Sequence, residues 1–68
     1  MTNIYNNIDY YKEVYQGRIA IMMEEGGKTE KQAKIDALYD TQEMFCKDKN
    51  LRLSDSRAYT VINKLQSR

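Results

Sequence analysis

The stretch MMEEGGKTEKQ, residues 22–32, decides how this chain folds. It has two interpretations. Gly27, Lys28 and Thr29 are the three residues that close a phosphate-binding P-loop. The same stretch also fits the end of one helix and the start of another. Gly26 or Gly27 can take the left-handed conformation that ends helices, and Thr29 with Gln32 has the spacing of a capping box.

The P-loop interpretation fails on two requirements of that motif. A P-loop reads Gly-x-x-x-x-Gly-Lys-Thr and follows a buried strand, but Met22 stands at the position of the first glycine. The residues before it also follow a helical rather than a strand pattern. We therefore predict that the stretch joins two helices and that Lys28 is an exposed residue with no phosphate to hold.

A first helix is predicted over about residues 7–25. Asn6 and Asn7 can each cap it, and apolar residues then recur at steps of three and four, which gives one apolar face. These residues are Ile8, Tyr11, Val14, Tyr15, Ile19 and Met22. The run IAIMM, residues 19–23, widens the face, so we expect this half of the helix to be enclosed. Gly17 within the helix suggests a close helix crossing or a slight bend.

A second helix is predicted over about 30–48 and a third over about 55–67. The buried side of the second holds Ile35, Leu38, Tyr39, Gln42, Phe45 and Cys46, with Ala33, Ala37 and Met44 adjoining. That of the third holds Ala58, Val61, Ile62 and Leu65, with Tyr59 beside it. Asn50 can take the left-handed conformation that ends the second helix, and Leu51 can supply the apolar contact that accompanies it. Leu53 is expected to pack before the third helix, Ser54 to cap it and Asp55 to complement its dipole. The sequence thus predicts an all-α, single-domain three-helix bundle over 1–68.

Composition limits the chemistry of the chain. The 68 residues include no Pro, three Gly and no His, and a chain this short has a marginal core. The absence of His removes the commonest general base and metal ligand. The single cysteine, Cys46, cannot form an internal disulfide, and we expect it to be a half-buried small apolar residue. We therefore predict no enzyme activity, no cofactor and no metal.

The charge is unevenly spread along the chain. Net charge is +1, yet from Lys47 onward there are six basic residues against Asp48 and Asp55. A solvated face is the simpler interpretation. The other is nucleic-acid contact, for which the candidates are Arg52, Arg57, Lys64 and Arg68. No apolar run approaches the length of a membrane span, and we expect a cytoplasmic protein of a bacterial host cell.

The run RIAIMMEEGGKTEKQAK, residues 18–34, resembles a helix-Gly-Gly-helix segment that recurs in proteins encoded by phages, plasmids and other mobile elements of bacteria. The residues that match it are Arg18, Ala20, Ile21, Met22, Gly26, Gly27, Thr29, Gln32 and Ala33, whereas Ile19 replaces a typical Ala. The resemblance covers 17 of the 68 residues. It implies a mobile-element origin and a helical hairpin, and it carries no catalytic residue.

Six tyrosines are an excess for a chain of this length. Tyr10 and Tyr11 lie about 100° apart on a helix, so some tyrosine must reach the surface, either at a core edge or in an interface. Our predicted protein interface is on the first helix: Tyr10, Tyr11, Tyr15, Ile19, Met22 and Met23. It could serve a homodimer or a host or phage protein.

Two functions follow from these features. The first is a non-catalytic protein-binding module of phage or mobile-element origin, for example an inhibitor of a host defence complex of the anti-CRISPR kind that acts by steric blocking. The alternative is a small DNA-binding transcriptional regulator that uses the third helix for recognition. Against the alternative, the connection before that helix is longer than the three or four residues of a helix-turn-helix.

Overall fold

The computed structural model describes residues 3–66, which form three α-helices. These are α1 over Ile8–Glu24, α2 over Glu30–Asp48 and α3 over Ser56–Gln66, and residues 3–66 contain no strand. The predicted all-α three-helix bundle is confirmed. The predicted helix bounds agree to within one residue, except that the predicted end of the third helix, residue 67, lies outside the described part of the chain.

The core lies between an α1–α2 hairpin and the shorter α3. From α1 it takes Tyr11, Tyr15 and Ile19, from α2 Ala33, Ala37, Leu38, Phe45 and Cys46, and from α3 Ala58, Val61 and Leu65. The predicted apolar faces of α1 and α3 are therefore confirmed. Cys46 is fully buried rather than half-buried. Burial, followed by the nearby Asp55 carboxylate, raises the pKa of its thiol.

The outer side of α2 differs from the prediction. Ile35 and Tyr39 were expected in the buried stripe, but they are 43% and 58% exposed. The cause is the path of α3, which begins against Gln42, whose Nε2 donates to the Ala58 carbonyl at 3.0 Å. At the other end of α3, Leu65 lines one groove together with Lys34. This placement of α3 leaves Ile35 and Tyr39 uncovered.

The connection between α1 and α2 has the stop-and-start arrangement predicted for it. Gly27 has a φ of +64°, the left-handed conformation that glycine adopts without cost. A Cβ on Gly26 would lie 2.8 Å from the Met22 carbonyl oxygen. Thr29 caps α2 by accepting the Gln32 N–H at 3.3 Å. The capping box is incomplete, because the Gln32 side chain donates to Asp36 at 2.9 Å.

The connection between α2 and α3 confirms one prediction and corrects two. Asn50 has a φ of +57°, and the Leu51 N–H donates to the Cys46 carbonyl at 2.8 Å, which completes a Schellman stop. The cap of α3 is Asp55, not Ser54, because Asp55 Oδ1 accepts the Arg57 N–H at 2.9 Å. Leu53 is exposed.

The α1 helix departs from the prediction at its start and at its glycine. Asn7 precedes the helix, but its side chain makes no capping hydrogen bond; Asn3 Oδ1 instead accepts the Tyr5 N–H at 2.9 Å. A Cβ built on Gly17 meets nothing within 4 Å. The predicted close crossing at Gly17 is therefore wrong, since this position faces away from the neighbouring helices. The run at 19–23 is not enclosed either, because Ala20, Ile21 and Met23 are exposed.

Candidate protein-binding groove

An open groove lies between the three helices, beside the last described turn of α3. The groove has a volume of about 670 Å³. Its lining comes from all three helices: Tyr15, Gln16, Ile19, Ala20 and Met23 of α1, Glu30 and Lys34 of α2, and Leu65 and Gln66 of α3.

Three of the six predicted interface residues meet in this groove. Tyr15, Ile19 and Met23 follow one another at intervals of four residues, which places them along one side of α1. Tyr15 and Ile19 are buried and form the floor, whereas Met23 is 39% exposed at the rim. Ala20 is also exposed beside the groove, and its small side chain leaves room for another molecule.

The contribution of α2 and α3 to this site was not predicted from the sequence. Leu65 was assigned to the core, and Glu30 and Lys34 were given no role. The signal that could have found Glu30 and Lys34 is their spacing of four residues, which places an opposite-charge pair on one face of α2. Glu30 and Lys34 form an ion pair at 3.0 Å, and both side chains are more than half exposed.

The lining of the groove is mixed in character. Its floor is apolar, but more of the exposed lining is polar than apolar, because the rim carries the amides of Gln16 and Gln66 and the α2 wall carries the ion pair of Glu30 and Lys34. An apolar side chain entering the groove would displace water from Ile19, Met23 and Leu65.

The remaining predicted interface residues lie elsewhere. Tyr11 is in the core, and its hydroxyl donates to Asp48 Oδ2 at 2.7 Å. Burial and this hydrogen bond raise the pKa of Tyr11 to about 12. Tyr10 meets Tyr11 edge-to-face at a centroid distance of 5.2 Å and lies on the other flank of α1. Met22 packs half-buried against the core.

The single α1 surface predicted from the sequence is therefore corrected. Tyr11, Tyr15 and Ile19 hold the bundle together and cannot also form the centre of an exposed seam. The physical reason is that α1 packs against both α2 and α3, and these side chains make that contact. What α1 offers to a partner is the groove side, with Ala20 and Met23, and a separate flank with Tyr10 and Ile21.

Two of the four predicted nucleic-acid contacts, Arg57 and Lys64, are engaged within the protein. Arg57 binds Asp55 through Nε at 3.0 Å and through a terminal nitrogen at 2.9 Å. These hydrogen bonds lower the pKa of Asp55 to about 2. Lys64 Nζ lies 4.8 Å from the centroid of the Tyr5 ring. Arg52 is exposed, and Arg68 lies outside the described residues.

Two further observations disfavour DNA recognition and phosphate binding. The α2–α3 connection spans the seven residues 49–55, whereas a helix-turn-helix uses three or four. Lys28 Nζ bonds to Asp36, and hydrogen bonds from Lys28 and then Gln32 lower the pKa of that carboxyl group. The cation that a P-loop would direct at a phosphate is thus already paired.

Comparisons with known proteins give no relative for this arrangement. No family model, no curated protein and no solved structure matches the chain. Among residues 3–66, no group of three His, Cys, Asp or Glu side chains is placed to hold a metal ion. Within the same residues, none of the helices is both long and apolar enough to cross a membrane. The function is accordingly argued from the geometry of the groove.

Proposed function

We propose that the protein is a small non-catalytic binding module whose groove receives an apolar segment of another protein. The observation that carries this proposal is an open groove in which the exposed Ala20 and Met23 stand beside an apolar floor of Tyr15 and Ile19. These residues come from the helix that the sequence marks as the interface. Grooves between helices that have an apolar floor are a recurrent binding mode for amphipathic helices.

The form of the groove favours a short helical segment as its occupant. The α1 wall of the groove runs from Tyr15 to Met23, which corresponds to roughly two helical turns at 3.6 residues per turn. A segment with two apolar residues three or four positions apart would fit this length. Complete burial of a side chain such as Met contributes about 1.5–3 kcal/mol, so Met23 and one or two partner residues would supply the centre of the contact.

Binding of this kind would act by steric blocking. Met23 is flexible and polarisable, so it can adapt to the side chain it meets. The resemblance of residues 18–34 to mobile-element proteins supports a phage or plasmid origin and a host protein as the partner. An inhibitor of a host defence complex, of the anti-CRISPR kind, is the specific form of this proposal.

The test compares two variants of the same helix. Ala20→Arg places a long cation in the groove, whereas Ile21→Arg places the same side chain on the other flank of α1, where Ile21 is 56% exposed. Both variants are checked for wild-type helicity by circular dichroism. Tagged proteins are then used to capture partners from a bacterial lysate, and any captured protein is purified and titrated directly.

We expect wild type and Ile21→Arg to bind the captured protein with similar affinity, and Ala20→Arg to bind at least tenfold more weakly. Equal binding by all three proteins would contradict the groove. The DNA-binding alternative is examined by titrating duplex DNA at several salt concentrations. Salt-dependent binding that Arg57→Ala weakens would favour that alternative instead.

A further inference from the structure

The α1 wall of the groove belongs to a longer stripe along the same helix. The stripe contains Asp9, Glu13, Gln16, Ala20 and Glu24, which follow one another at steps of three or four residues and therefore share one face of α1. All five are exposed, and the two in the middle, Gln16 and Ala20, line the groove. Glu13 lies one turn before Gln16, and Glu24 lies one turn after Ala20. We call these five residues the acidic stripe.

The carboxylates of α1 are not compensated within the bundle. Asp9, Glu13, Glu24 and the C-cap residue Glu25 form no ion pair with any residue of 3–66. Most of the carboxylates that follow α1 do form one. Those that pair belong to α2 and to the connection after it: Glu30, Asp36, Asp40 and Asp55. Pairing within the described chain therefore leaves negative charge concentrated on α1.

Glu24 occupies a position that is unfavourable for the helix itself. It lies in the last turn of α1, where the helix dipole is negative, and this turn contains no basic residue. Asp9 lies in the first turn, where a carboxylate is favourable, and α2 has the ordinary arrangement with Lys47 in its last turn. Residues that break a local rule are expected mainly at functional sites. Glu24 breaks such a rule next to the groove.

The cations near the groove do not cancel this charge. Lys34, on the α2 wall, is paired with Glu30 at 3.0 Å. Lys12 precedes Gln16 by one turn and is half-buried, and Lys31 follows Glu30 on α2 and is exposed. Neither of these two lysines forms an ion pair within residues 3–66. Two unpaired cations against the four carboxylates of α1 leave a local charge of −2, although the whole chain carries +1.

We propose that the groove selects a basic amphipathic helix, in which Lys or Arg residues flank the apolar residues. The proposal rests on the proposed function, that the groove binds a protein segment, and it adds the charge of that segment. In a helix lying along α1, apolar residues would contact Ala20 and Met23. Cations one turn before and one turn after them would reach Glu13 and Glu24. Charges placed in this way act on partner selection and association rate more than on affinity.

The same charges disfavour other occupants. An acidic segment or a nucleic-acid phosphate would meet like charges on the acidic stripe. A second copy of the chain docking through α1 in a two-fold contact would set the stripe against itself. A basic segment is the occupant whose charges would be complementary to those of Glu13 and Glu24.

The experiment uses three synthetic helical peptides that share two leucines four positions apart. They differ only in the flanking residues, which are Lys, Gln or Glu. Each peptide is titrated by fluorescence anisotropy into wild type, Glu24→Lys and Glu43→Lys at several salt concentrations. Glu43 is the matched control, because it is also exposed and unpaired within residues 3–66 but lies on α2 beside Arg18 and Lys47.

The two variants have the same net charge, so a difference between them reports the position of the charge. Lysine suits the last turn of a helix, so Glu24→Lys should be at least as stable as the wild type. Circular dichroism and thermal unfolding check this expectation. A loss of binding together with unchanged or raised stability would separate a binding role of Glu24 from a structural one.

We expect the lysine peptide to bind the wild type about tenfold more tightly than the glutamate peptide, with the glutamine peptide between them. The preference should shrink as the salt concentration rises. Glu24→Lys should bind the lysine peptide about threefold more weakly than Glu43→Lys does. Failure of the lysine peptide to bind, or equal weakening by the two variants, would overturn the inference.

Ala20→Arg distinguishes this inference from the proposed function. If the three peptides bound the wild type equally and Ala20→Arg abolished their binding, the groove would be supported and the charge preference overturned. If the lysine peptide bound wild type and Ala20→Arg with the same affinity, the groove itself would be contradicted. We expect Ala20→Arg to weaken the lysine peptide at least as much as Glu24→Lys does.

Discussion

The two connections of the bundle solve the same problem with different residues. Each must end one helix, reverse the chain and begin another. The α1–α2 connection uses two glycines, Gly26 for space and Gly27 for a φ of +64°, and then a threonine cap. The α2–α3 connection places Asn50 at a φ of +57° and caps α3 with Asp55. Glycine is favoured at position 27 by the left-handed backbone and is required at position 26, where a Cβ would meet the backbone of Met22.

The difference teaches where a substitution is tolerated. At Asn50 the left-handed conformation is adopted by a residue that visits it readily, so side chains are compatible with that turn. At Gly26 the obstacle is the carbonyl oxygen of Met22, which belongs to the helix backbone and cannot swing aside. The first connection is therefore rigidly specified by two positions, and the second depends more on its cap.

Gly26→Ala should have the largest effect of the changes considered. The new Cβ would lie 2.8 Å from the Met22 oxygen, so the last turn of α1 must shift, at a cost on the order of 1–3 kcal/mol. Chemical denaturation measures the loss. The control is Gly17→Ala, where nothing lies within 4 Å and the better helix former should stabilise the protein by about 0.5–1 kcal/mol. If Gly26→Ala and Gly17→Ala changed the free energy of unfolding in the same direction, this assignment would be contradicted.

Asp55→Ala should destabilise the second connection, whereas Ser54→Ala should be nearly silent. Loss of the cap leaves the Arg57 N–H without its acceptor and should lower the thermal midpoint by about 5 °C in a domain of this size. Scanning calorimetry of both variants decides between the two residues. A larger effect from Ser54→Ala would restore Ser54 as the cap.

The same carboxylate gives a pH dependence of known sign. The pKa of Asp55 in the folded protein is about 2, below its ordinary value of 3.8, because Arg57 donates side-chain and backbone hydrogen bonds to it. Its contribution to stability is thus present above pH 4 and is lost as the pH falls towards 2. The midpoint difference between wild type and Asp55→Ala should shrink over that interval.

Thr29→Ala should cost about 0.5–1 kcal/mol, at the lower end for a helix cap. The reason is that its oxygen accepts the Gln32 N–H at a long 3.3 Å and that Gln32 gives no return bond. Urea unfolding compares it with Thr29→Ser, which keeps the hydroxyl and should retain most of the stability. If both variants were equally destabilised, the methyl group rather than the cap would be responsible.

Lys28→Ala should have the smallest effect, a midpoint change under about 2 °C, because its pair with Asp36 is an exposed one. It should also leave any activity unchanged. Isothermal titration of ATP into wild type and variant examines the P-loop interpretation directly. ATP affinity that disappeared with Lys28→Ala would show that residues 27–29 form a nucleotide site after all.

The fold was predictable because the signals for it are local. Periodic apolar residues and the cap at Thr29 depend on neighbours three or four positions away, and they placed the helices to within a residue. The α3 cap was missed by one position because Ser54 and Asp55 are both good caps in sequence. Only the position of the first helical turn distinguishes them.

The candidate site was predictable only in part, because it depends on how the helices cross. The pattern on α1 selected Tyr15, Ile19 and Met23, but it could not separate them from Tyr11, which the same periodicity places on the same side. Ile35 and Tyr39 fit the buried stripe of α2 equally well. They are exposed because α3 does not cover that side of α2, and no sequence interval records where a neighbouring helix will lie.

The hydrogen bond from Tyr11 to Asp48 makes the ionisation of Tyr11 a spectroscopic probe of helix packing. The chain has no Trp, so its near-ultraviolet absorbance comes chiefly from tyrosine. Unfolded tyrosine ionises near pH 10, but Tyr11 ionises at about 12 in the folded chain. The folded state therefore keeps the Tyr11 hydroxyl protonated, and the free energy of unfolding declines as the pH rises from 10 to 12. The chain has six tyrosines, so the Tyr11 signal is obtained as the difference in tyrosinate absorbance between the wild type and Tyr11→Phe. That difference should be absent near pH 10 as long as α1 stays packed against the C-terminal end of α2.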